Sequence, residues 1–102
     1  MKMRRDFVDT EAGQLHFIAN GRTETGKATL VMIPQMSALE QIPLMEAIGD
    51  RPMIAIDPMG LGDSDPAPSE TPTMEDHAAA LLAALTALKI DRFDVYGSHF
   101  GA

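Results

Sequence analysis

Cysteine is absent from the 102 residues, which excludes a disulfide framework and any thiolate metal site. A reducing, cytoplasmic setting is the expectation that follows. Basic residues are sparse: eight Lys and Arg stand against fifteen Asp and Glu, and the formal net charge is -7. Apart from Arg4-Arg5 they are scattered. Nucleic-acid binding needs clustered cations to neutralise phosphates, so no nucleic-acid partner is expected. No apolar run approaches the ~18 residues of a membrane span. The opening MKMRRDFVDT carries positive charge with no apolar stretch behind it, so a signal peptide is not expected either. Internal repeats and low-complexity tracts are also missing.

What is present reads as one folded domain. Apolar residues make up 45% of the chain and charged residues 23%, ordinary values for a globular protein. Phe7 and Val8, within Asp6 to Thr10, suit a short strand, and Gln14 to Ala19 alternates well enough for a second. Glu11-Ala12-Gly13 would join them as a hairpin. Asn20-Gly21 and the polar stretch to Lys27 form a loop. Ala28 to Ile33 is a continuous apolar run, as in a strand buried on both faces. Leu39, Ile42, Met45, Ala47 and Ile48 then give a rough helical stripe, stopped by Gly49. Pro43 confines that helix to its later part or occupies its first turn.

Pro52 to Ile56 is a second buried strand, followed by a loop, Asp57 to Thr73, that is rich in glycine and proline. Thr73 with Asp76 approximates a capping box. Met74, Ala78, Leu81, Leu82, Leu85 and Leu88 follow at helical spacing. Phe93 to Tyr96 is the last strand. Strands alternating with helices predict an α/β fold: a mostly parallel sheet with an antiparallel N-terminal hairpin and flanking helices.

The last strand runs into Gly97-Ser98-His99-Phe100-Gly101-Ala102. This turn resembles the nucleophile elbow of the α/β-hydrolase family, Gly-x-nucleophile-x-Gly followed by a small residue. Asp57-Pro58-Met59-Gly60-Leu61-Gly62-Asp63-Ser64 is similar to the Asp-x-x-Gly-x-Gly-x-Ser turn that these enzymes carry after their fourth strand. The helix from Thr73 to Leu88 and the strand after it also stand in the family's order. The resemblance covers essentially the whole chain.

It implies that residues 1–102 form an incomplete α/β-hydrolase domain, strands one to five with two helices. A tight elbow presents the residue midway between its glycines, Gly97 and Gly101, with flanking positions kept small by close backbones. That residue is His99, where most members carry Ser, Cys or Asp. Ser98 would need glycines at positions held by Tyr96 and Phe100. An imidazole at the apex can act as nucleophile or base, can hold a ligand, or can be inert. A bacterial branch of the family has a histidine at this apex and a glutamine in the loop after strand three, and Gln35 matches that glutamine. The resemblance makes the Phe100 and Met36 amides the oxyanion-hole donors, and Gln35 and Ser98 substrate contacts.

The turn at Asp57 to Ser64 is expected to be structural: its glycines permit positive φ, and its Asp and Ser can bond local backbone. Gly60-x-Gly62 lacks the third glycine and following helix of a phosphate loop. His16, on a strand, and His77, in a helix's first turn, are expected to be solvent-facing or satisfied in the core. With His99 they make no recognisable metal cluster, so neither metal nor cofactor is expected. Met36 and Met59 are candidate pocket residues, the other methionines core filler.

In this family the acid and base partners follow the elbow, and residues 1–102 do not contain them. The chain is therefore expected to be a fragment, one half of a split pair, or a truncated product, inactive alone. The remainder of the domain or a second chain would cover the open sheet edge. The complete protein would hydrolyse an ester or similar bond of a small apolar molecule. The alternatives are a small-molecule binding protein without catalysis and a lyase using His99 as base.

Overall fold

The computed structural model describes residues 3–21, 27–34, 36–49 and 51–97. Strand β1 (Arg4–Thr10) and strand β2 (Gly13–Ala19) form the expected antiparallel hairpin. Its connection is shorter than expected, Glu11-Ala12, because Gly13 already pairs with Thr10. Strands β3 (Thr29–Ile33), β4 (Met53–Ile56) and β5 (Phe93–Gly97) complete a mixed sheet in the order β1-β2-β4-β3-β5. β2 meets β4 antiparallel, and β3 pairs in parallel with both β4 and β5. The strand boundaries shift at the ends: β1 begins at Arg4 rather than Asp6, and β5 extends to Gly97.

The two-residue period of the strands divides the core. Leu15, Phe17, Val31, Ile54 and Ile56 face one side and pack against Ala80, Ala84 and Leu85 of helix α2 (Met74–Ala87). Ile18, Met32, Met53 and Ala55 face the other side, where they meet Ala38 and Met45. Each fully buried Leu, Ile or Met contributes about 1.5–3 kcal/mol.

Both helical segments differ in detail from the sequence reading. A 3-10 turn, Ala38–Gln41, precedes helix α1 (Ile42–Ile48) and is opened by a capping box between Ser37 and Glu40. Pro43 lies in the first turn of α1, and Gly49 closes it at φ 69°. Leu39 and Ala47 are exposed, so the inward face here is Ala38, Gln41 and Met45. In α2 the Thr73–Asp76 capping box forms as expected. Met74, Ala78 and Leu82 are exposed, however, and the small residues Ala80 and Ala84 seat α2 on the sheet with Leu85. Apolar spacing identified the helix but not its orientation, because alanines carry little signal in a leucine-based stripe.

Candidate functional site

Three parallel strands end on one rim. Ile33, the last residue of β3, pairs with Gly97, the last of β5, and so the two loops expected to supply oxyanion donors start side by side. Of the candidate residues, Gly97 and Met36 are described. Gln35, Ser98, His99, Phe100 and Gly101 lie outside the described residues.

The amides of Met36, Ser37 and Ala38 are already engaged. Met36 N–H donates to Glu40 Oε1 at 2.8 Å, and Ser37 N–H donates to the same oxygen at 3.2 Å. Ala38 N–H donates to Asp57 Oδ1 at 2.5 Å. The sequence Ser37-Ala38-Leu39-Glu40 has the spacing of a capping box, a signal that would have revealed the Glu40 contacts. The side chain of Met36 is exposed and does not line the cavity described below.

Asp57 follows Ile56 directly, so strand alternation turns it to the same side as Met53 and Ala55, toward Ala38. It is fully buried. Its Oδ2 accepts from Asp63 N–H at 2.8 Å and bonds His16 Nδ1 at 2.9 Å. Arg5 Nε donates to His16 Nε2 at 3.3 Å, which leaves Nδ1 to carry the proton given to Asp57. Arg5 also pairs with Asp63 at 2.7 Å. Ser64 Oγ donates to the Asp57 carbonyl at 2.8 Å and accepts from His16 N–H at 2.9 Å. The glycine-rich turn is thus structural, as its residues implied, and His16 is satisfied in the core. The partners of His16 come from 11, 41 and 48 positions away, beyond the reach of local sequence patterns.

Ligand atoms of His16, Asp57 and Asp63 lie within 4.8 Å of one another. The Arg5 guanidinium contacts both His16 and Asp63 and supplies the positive charge a cation would bring. The cluster is therefore a hydrogen-bond network.

A cavity of about 150 Å³ lies between the ends of β3 and β4 and the start of α2. Ile33, Ile56, Met59, Met74, His77 and Leu81 form most of its wall, so Met59 is a pocket residue and His77 faces the same space. Its surface is mainly apolar and suits a hydrocarbon group rather than an anion.

No family profile matches the chain, and no curated protein matches it in sequence. Solved structures do. The N-acyl homoserine lactonase AidH, crystallised with N-hexanoyl homoserine, is 26% identical at TM-score 0.84, covering 98% of this chain and 38% of its own. Cfl2 from Burkholderia cenocepacia is 26% identical at TM-score 0.84, covering 97% of this chain and 34% of its own. Naproxen esterase (carboxylesterase NP) from Bacillus subtilis is 24% identical at TM-score 0.84, covering 98% and 35%. The chain spans about a third of the length of these structures. Its architecture is part of the α/β-hydrolase fold, as the two glycine turns implied. Among the described residues, no helix is long and apolar enough to cross a membrane.

Proposed function

We propose that these residues belong to a hydrolase that cleaves an ester, lactone or similar bond of a small, largely apolar molecule. The observation that carries this reading is the Ile33–Gly97 pair, which sets the start of the loop holding Met36 beside the end of β5, two residues before His99 in sequence. A carbonyl bound between these loops would have His99 as nucleophile or base and the amides of Phe100 and Met36 as oxyanion donors. Gln35 and Ser98 would contact the substrate. Such preorganised amides are worth roughly 10²–10³ in kcat per donor. The esterase and lactonase neighbours support the reaction class, and the apolar wall around Met59 supports the substrate class.

The test is turnover of a panel of aryl esters and lactones by the natural-length protein and by His99→Ala. Hydrolysis by the wild type and its loss in the variant are expected. Equal turnover by both would remove His99 from the chemistry.

One observation favours a second reading, a binding protein on a hydrolase scaffold. The Met36 amide is held by Glu40, so an oxyanion would have to displace a carboxylate to use it. Tight binding of an ester without turnover would support this reading, and a trapped covalent adduct on His99 would end it.

A further inference from the structure

We propose that Asp57 is a positioning residue: it fixes the backbone of Met36, Ser37 and Ala38 relative to the sheet, and so sets where the Met36 amide stands in the loop after β3. The catalytic consequence rests on the hydrolase reading; the positioning itself does not.

The first amides of a helical segment have no partner within it. Here three consecutive amides are taken by two carboxylates of different origin. Glu40 accepts from Met36 and Ser37, but it lies three and four residues away on the segment it caps, and travels with it. It can shape the loop, but it cannot locate the loop on the sheet. Asp57 comes from the end of β4, 19 positions away, and reaches the third amide, Ala38, inside the core. That bond ties the loop after one strand to the end of its neighbour.

The carboxylate is itself held from every side. Asp63 N–H and His16 Nδ1 engage Oδ2 while Ala38 N–H engages Oδ1, so the side chain has one orientation that satisfies all three donors. The aspartate side chain offers an acceptor oxygen to each group of donors. Asparagine would present N–H toward Ala38 or toward Asp63 and His16, leaving a donor facing a donor. Ala38 is joined to Met36 through Ser37 alone, so movement at Ala38 passes to the candidate oxyanion donor. A misplacement of ~1 Å at a reacting centre can cost ~10²-fold in rate.

Amide hydrogen exchange and steady-state kinetics on the natural-length protein, wild type and Asp57→Asn, test the proposal. In the wild type the Ala38 amide should be protected to the degree of the β4 amides. Exchange as fast as that of an exposed first-turn amide would overturn the assignment, and this arm stands even where the variant fails to fold. In Asp57→Asn, protection at Ala38 should fall at least ~10-fold more than in β4, as expected for a lost bond to a charged group. A uniform loss across the sheet would reduce Asp57 to a general stability role. With an ester that the wild type turns over, kcat should fall ~10- to 100-fold with KM within ~2-fold, the pattern of an interaction realised in the transition state. Unchanged kcat with lost Ala38 protection would overturn the catalytic consequence. A wild type that hydrolyses nothing would sink the hydrolase reading, and exchange alone would then decide the positioning.

Discussion

A β-carbon on Gly62 would land on the carboxylate of Asp57. Gly62 sits at φ 52°, a left-handed conformation, and lets the turn after β4 fold back closely enough for Asp63 N–H to reach Asp57 Oδ2. The glycine and the aspartate thus make one device: close backbone approach on one side, a shared buried acceptor on the other. Replacing Gly62 by Ala must displace that acceptor and strain the backbone. The expected loss is about 3 kcal/mol, read as a shift of the urea unfolding midpoint at constant slope.

Glu40→Ala should release the Met36 and Ser37 amides together. Loss of the capping box costs about 1 kcal/mol of stability. On the hydrolase reading the freed Met36 amide meets the substrate without competition, and kcat/KM for an ester should rise roughly 3- to 10-fold, up to about 1.4 kcal/mol of barrier. A fall in kcat/KM would show instead that Glu40 shapes the loop for catalysis.

Thr73 caps α2 by accepting from Asp76 N–H at 3.1 Å, and Asp76 returns the bond to Thr73 N–H at 2.9 Å. Thr73→Ala should destabilise the protein by about 1 kcal/mol, measured by thermal unfolding, and Thr73→Ser should keep most of that stability.

Lys89 ends α2 at φ 61°, where its N–H bonds the Thr86 carbonyl at 3.0 Å. Ile90 N–H returns to the Leu85 carbonyl at 2.9 Å, completing a glycine-type C-terminal stop on a residue with a β-carbon. Lys89→Gly should stabilise the protein by about 0.5 kcal/mol, since relief of left-handed strain exceeds the added freedom of the unfolded chain. Urea unfolding checks the sign.

Much of the architecture was legible in sequence because its causes are local. Alternation marked β1 and β2, continuous apolar runs marked β3 and β4, and Gly49, Thr73 and the Asp57–Ser64 turn declared themselves through side-chain chemistry acting within a few residues. The Ser37–Glu40 box is equally local, but the apolar spacing through Leu39 and Ala47 does not report it, and both of those residues are exposed.

The rest depended on which distant segments meet. No pattern in β2 names the partner of His16, since a histidine on an alternating strand fits water or core equally well. Only docking of the turn after β4 against the hairpin decides it. The partner of the Ala38 amide is likewise set by sheet order, which places β4 between β2 and β3. Amino-acid type thus determined the elements, the acceptors and the donors along this chain. Tertiary structure chose the pairings between them, because a buried carboxylate takes whichever donors the packed strands bring within reach.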